Sequence, residues 1–173
     1  METATVTPRE PATRSTTIAD LLPRAVERFG PDPAIRFKGP SGDWTSKTFT
    51  EVGEIVRRLS LGLMDLGIQK GDKVAILANT RPEWTHFDFA ALTAGATVVP
   101  IYQTNSPEEC QYVLENSDAK AVVVEDEDQL DKIRNIRNSV PKLEHVIRMT
   151  ASSDDAISMD ELSERGVSRP ESE

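Results

Sequence analysis

A single cysteine, Cys110, stands in this 173-residue sequence. An internal disulfide is therefore excluded, and the chain suits a reducing compartment. Histidine is nearly as scarce. His86 and His145 lie far apart and, with one cysteine, do not make up a structural zinc site. Positive charge is also in deficit: 20 Lys and Arg stand against 29 Asp and Glu, a net charge of −9. Nucleic acid needs a basic patch, which this surplus of carboxylates opposes, so no nucleic-acid partner is expected and the acidity reads as solubility. No apolar run reaches the ~18 residues that a membrane span requires. The opening "METATVTPREPATRSTT" lacks the apolar centre of a secretory signal, so the chain reads as cytoplasmic, with peripheral membrane association left open. Glycine is thin as well: nine residues are dispersed at turns and caps or inside helices. Neither GxxxxGK[ST] nor GxGxxG occurs, so nothing here cradles a triphosphate.

Apolar residues make up 38% of the chain, below the usual ~45%, which suggests that part of the length is tail. Residues 1–16 carry no periodic apolar positions and read as a disordered N-terminal tail. Residues 150–173 read as a mostly polar C-terminal tail, with only Ile157, Met159, Leu162 and Val167 of note.

The intervening 17–149 carry a regular layout. "TIADLLPRAVERF" places Ile18, Leu21, Leu22, Ala25, Val26 and Phe29 on one helical face. Pro23 falls in the first turn behind Asp20, and Gly30 stands where a left-handed cap would sit. Alternating runs at Ala34–Phe37 and Trp44–Phe49 around "KGPSGD" predict a hairpin. From Thr50 to Leu66 apolar residues recur at three and four, with Gly67 just past the end, which predicts a helix. Val74–Ala78, Thr97–Ile101 and Ala121–Val124 have the apolar character of parallel strands covered on both sides, and Pro100 marks an end or an edge. Between them, Thr80, Pro82 and Glu83 predict one helix start and Ser106, Pro107 and Glu109 another. A further helix through Leu130, Ile133 and Ile136 and a last strand at His145–Met149 complete the series. Strands alternating with helices imply an α/β fold: a parallel sheet with helices on both faces.

Such a sheet binds ligands at the carboxyl ends of its strands. Those ends read "ANTRPEW", "YQTNSPEE" and "EDEDQ", which gathers Asn79, Thr80, Tyr102, Thr104, Asn105 and Ser106. Capping by Thr80 and Ser106 and turning by Asn105 would equally explain those residues. Trp84 could line an apolar pocket or fill core, and Tyr102, at a strand end with its hydroxyl wet, is the best single candidate for touching a ligand. The substrate-binding candidates are therefore Trp84, Tyr102 and Thr104; no catalytic residue and no metal ligand is assigned. The acids Glu125–Asp128 invite a magnesium pocket of receiver type, yet acids in a first helical turn are favoured by its dipole anyway.

Taken together, "TFTEV", "LTAGATVVPIY", "NTRPEW" and "PIYQTNSPEECQYVLENS" resemble the N-terminal part of the AMP-forming acyl-CoA synthetases, adenylate-forming enzymes, and are most similar to the long-chain fatty acid branch. The resemblance spans roughly Thr16 to Arg148, with a weaker match in "SMDELSERG". It implies the first lobe of the large N-terminal domain of an adenylate-forming enzyme, so that 17–149 would be a partial AMP-binding domain. Such enzymes act on a fatty acid, with ATP, magnesium and coenzyme A. Their phosphate loop, Ser/Thr/Gly-rich and ending in Pro-Lys-Gly, would follow beyond this sequence. The resemblance therefore implies that the chain alone binds no cofactor and is inactive. It also implies half of a two-sheet sandwich, with an open apolar face able to drive self-association. Two other readings stay open: a stand-alone α/β binding module derived from this lobe, and a receiver- or flavodoxin-like protein. Against the latter, neither "VAILAN" nor "VVPIY" ends in the Asp a receiver needs.

Overall fold

The computed structural model describes residues 16–39 and 41–168; all but Thr16 of the expected N-terminal tail lies outside them. A 3-10 turn (Ile18–Asp20) leads into α1 (Leu21–Phe29), with Asp20 at its N-cap and Pro23 in its first turn. Then come β1 (Pro33–Lys38) and β2 (Trp44–Thr48), an antiparallel pair in which Phe37 faces Thr45. Next are α2 (Phe49–Asp65), β3 (Lys73–Leu77), α3 (Pro82–Thr93), β4 (Thr97–Ile101), α4 (Pro107–Ser117) and β5 (Ala119–Val124). The chain continues through α5 (Glu127–Ile136), β6 (His145–Arg148), β7 (Ile157–Ser158) and α6 (Met159–Val167). Five strands form one parallel sheet in the order β4-β3-β5-β6-β7.

Because side chains alternate along a strand, the sheet feeds two cores. Val74, Ile76, Ala121, Val123 and Ile147 meet Val56, Leu59 and Leu63 of α2, Phe87 and Ala90 of α3, and Met159 and Leu162 of α6. Ala75, Leu77, Val122 and Val124 meet Cys110 and Leu114 of α4 and Leu130, Ile133 and Ile136 of α5. Capping fixes where the helices start. Thr48 and Glu51 exchange bonds at α2, Ser106 and Glu109 at α4, and Ser158 and Glu161 at α6. Pro100 lies on edge strand β4, where its missing donor costs no ladder bond.

Four expectations are corrected. Gly30 is right-handed, at φ −33°; a Cβ there would stand 2.9 Å from Thr50 Oγ1 and 3.0 Å from the Val26 carbonyl, so the glycine answers crowding rather than a left-handed turn. Thr80 does not cap α3. Arg81 is the N-cap residue, with no side-chain cap bond, and Pro82 follows at the first helical position. The tail expected over 150–173 is structured in its described part, where β7 extends the sheet and α6 lies along α2 with Met159, Leu162 and Gly166 buried. Its nine residues present too few apolar positions to stand out in the sequence, but close helix–helix contact buries them. Finally, the open apolar face is not found among the described residues, since helices cover both faces of the sheet. The large exposed apolar side chains, Ile18, Leu21, Trp44, Tyr102, Tyr112 and Val167, are spread over different elements.

Candidate functional site

The carboxyl ends of β3 and β4, paired as far as Leu77 and Ile101, border a cleft of about 650 Å³. Ala78, Asn79, Thr80 and Trp84 form one wall, along the β3–α3 turn and the start of α3; Pro100, Ile101, Tyr102 and Gln103 form the other, at the end of β4. The floor is apolar and the rim polar. Trp84 is half-buried against the core, whereas Tyr102 is 78% exposed, so its ring is free to cover a ligand lying between the walls. Thr104 is exposed on the next turn and is not among the lining residues. Asn105 donates its backbone N–H to the Tyr102 carbonyl at 3.0 Å and turns the chain, and Ser106 caps α4. Of the gathered polar residues, the structure thus brings Asn79, Thr80 and Tyr102 to one cleft with Trp84. Gln103, which follows Tyr102 in "YQTNSPEE" and which the strand-end reading does not single out, joins them.

The wall made by the β3–α3 turn is held from β5. Glu125 accepts the Asn79 backbone N–H at 2.7 Å, the Asn79 side-chain amide at 2.8 Å and Arg81 at 3.3 Å. Arg81 also pairs with Glu83 at 2.7 Å. Burial pushes the Glu125 carboxyl up, but the Asn79 donors and Arg81 outweigh it and hold the group below its ordinary value. The neighbouring acids have protein partners of their own: Asp126 caps α5, and Glu127 pairs with Arg134 and Arg148. Among the described residues no cluster of three His, Cys, Asp or Glu is placed to hold a metal.

A second cavity, about 600 Å³, opens between α2, α3, α6 and the end of β6. Lys47, Arg58 and Asp160 stand among its charged lining, Ile55, Met149 and Met159 among its apolar lining, and His86 reaches it from α3. His86 is 4% exposed, and its Nε2 has no hydrogen-bond partner. Burial lowers its pKa against a smaller opposing pull from Glu83, so the ring is neutral. In the sequence His86 stands only as one of two distant histidines, because helical periodicity gives a depth but not a partner.

A five-stranded parallel sheet covered by helices on both faces, with an aromatic-walled cleft at the carboxyl ends of its strands, defines an α/β fold of the adenylate-forming kind. The chain belongs to the AMP-binding enzyme family, whose model matches residues 22–173. It is similar to the long-chain-fatty-acid–CoA ligase FadD15 of Mycobacterium bovis, 39% identical over 142 residues, which covers 82% of this chain and 23% of that protein. It is similar also to the long-chain-fatty-acid–CoA ligase heimdall of Drosophila melanogaster, at 36% identity over 77% of this chain and 20% of that one. Among solved structures, the anthranilate CoA ligase AuaEII in complex with anthranoyl-AMP superposes with a TM-score of 0.73 at 25% identity, over 84% of this chain and 26% of that one. The chain therefore spans about a quarter of the length of these relatives. No helix among the described residues is long and apolar enough to cross a membrane.

Proposed function

We propose that this chain forms the first lobe of the adenylation domain of a long-chain fatty acid–CoA ligase. In the intact enzyme a fatty acid and ATP, accompanied by magnesium, give acyl-adenylate and pyrophosphate, and coenzyme A then takes the acyl group with release of AMP. The observation that carries this is the family match across 22–173, supported by relatives that are themselves named as ligases of this kind. The lobe's part is scaffold and substrate contact. None of its 173 residues forms a Ser/Thr/Gly-rich loop ending in Pro-Lys-Gly, so the charge that develops at the phosphates has no preorganised donors here. In this reading the chain works in the cytoplasm, with contact to a membrane surface made by the intact enzyme. The β3–β4 cleft seats part of the fatty acid, with Trp84 and Ile101 against the chain and Asn79, Thr80, Tyr102 and Gln103 at the polar rim.

Two measurements on the purified chain test this. With palmitate, ATP, magnesium and coenzyme A it should yield no thioester above the blank, and thioester formation would refute the scaffold role. Trp84 and Trp44 are the only tryptophans, so in Trp44→Phe the emission reports Trp84 alone. It should change saturably with palmitate, and a flat titration removes the cleft from the substrate path. One observation favours a second reading, a stand-alone binding module without catalysis: α6 covers a sheet face that a bare fragment would leave open. Saturable binding by a monomer with no thioester formed in any reconstitution would favour that module.

A further inference from the structure

Both walls of the cleft are tied down by charged side chains that do not line it. On the β3–α3 side, Glu125 bonds the backbone and side chain of Asn79 and reaches Arg81. On the β4–α4 side, Lys132 of α5 donates from Nζ to the Gln103 carbonyl at 2.6 Å. These contacts span 46 and 29 residues of sequence, so neither is a local turn bond. Both come from the single β5–α5 unit, which lies next to β3 and contributes no lining residue.

We propose that Glu125 and Lys132 are the positioning residues of the β3–β4 cleft: from one strand–helix unit they set the separation of its two walls, and with it the fit of an acyl chain between Trp84 and Tyr102. The inference rests on the reading of the cleft as a fatty acid seat, but its mechanical content does not. Glu125 fixes the turn from which Trp84 departs, because Asn79 is held at both its backbone and its amide. Lys132 fixes Gln103, the residue after Tyr102, and leaves the exposed ring free to close. A charge-assisted bond to a backbone group is among the stronger single contacts a loop can have; the Lys132 bond is partly buried, whereas those from Asn79 to Glu125 are exposed. Two such bonds made by one strand–helix unit refer both walls to the same frame, so that each wall moves only by straining its own anchor.

The test uses the full chain in the Trp44→Phe background, with Glu125→Ala, Glu125→Gln, Lys132→Met and, as a control, Lys142→Ala, whose 2.8 Å ion pair with Asp118 lies elsewhere. Two quantities are read: palmitate affinity from Trp84 emission, and amide hydrogen exchange over 79–84 and 102–106. Glu125→Ala and Lys132→Met should each weaken palmitate binding about tenfold, the scale of one charged hydrogen bond. Each should speed exchange in its own wall while β3, β5 and α5 keep theirs, Glu125→Gln should fall between wild type and Glu125→Ala, and Lys142→Ala should do nothing. A purely structural role would lower protection everywhere and leave the affinity of the folded fraction intact, and that result overturns the proposal. Unchanged exchange in both walls overturns it as well. If palmitate fails to bind while the walls still loosen selectively, the positioning role stands and the fatty acid reading falls.

Discussion

His86 carries the sharpest consequence at the scale of one residue. Its imidazole is buried and its Nε2 unpartnered, and burial depresses its pKa. The unfolded chain titrates near ~6.5, so below that value it binds a proton that the folded chain refuses. Stability contributed by the neutral ring is fully present above pH ~6.5 and is lost as pH falls from there toward the depressed folded value. Most carboxylates titrate lower, which leaves pH 7.5 to 5.5 as a window dominated by histidine. Urea midpoints of the wild-type chain should fall across that window, and those of His86→Phe should fall less. Equal slopes in the two proteins would show that His86 does not govern the acid limb. The same residue illustrates what the sequence could not reveal. "EWTHFDF" places His86 on a helix beside aromatic neighbours, but nothing in that spacing foretells a cavity bounded by α6, more than 70 residues downstream.

Among elements, α2 and α6 cross with their backbones in close approach. A Cβ on Gly62 would lie 2.1 Å from the Leu162 carbonyl oxygen, and one on Gly166 would lie 1.9 Å from that of Arg58. Glycine inside a helix is ordinarily a weakness, worth about 1 kcal/mol relative to alanine. Here two glycines, one from each helix, let the axes come together. Gly62→Ala therefore sets a propensity gain of about 1 kcal/mol against overpacking of roughly 1–3 kcal/mol, with carbonyl oxygens that cannot rotate aside. We expect a net loss, read as a lower urea midpoint at unchanged slope, and likewise for Gly166→Ala; a gain in either would mean that the helices slide apart freely. The strands and the helices α2, α4 and α5 were legible in the sequence because periodicity and caps are local: Thr48 with Glu51 and Ser106 with Glu109 announce themselves three residues apart. α6 has a box of the same kind in Ser158 and Glu161. Its helix is short and largely polar, however, and its stabilising surface belongs to α2. The cleft was legible in part for the same reason, since the strand-end rule finds Asn79 and Tyr102, whereas the straps from Glu125 and Lys132 depend on contacts distant in sequence.

For the molecule as a whole, the question is whether this lobe holds together through its own two cores. Both sheet faces are covered, and the helix that completes one of them lies in the stretch that reads as tail. Leu162 is fully buried and Met159 nearly so, against Leu59 and Leu63 of α2. Losing one buried Leu or Met costs about 2–5 kcal/mol, and a domain has only about 5–15 kcal/mol to lose. A chain ending at Ala156 would give up both side chains and the β7 pairing and would leave α2 bare along the face that α6 now covers. It should lose its cooperative urea transition by circular dichroism, bind a hydrophobic dye and associate. The full chain should unfold in one step as a monomer, because neither core faces solvent. Leu162→Ala should sit between the two, with an intact transition at a lower midpoint. If the shortened chain instead keeps the full chain's midpoint and slope, residues 157–168 behave as a tail in solution. The covered face would then be a feature of the packed conformation that the isolated lobe does not need.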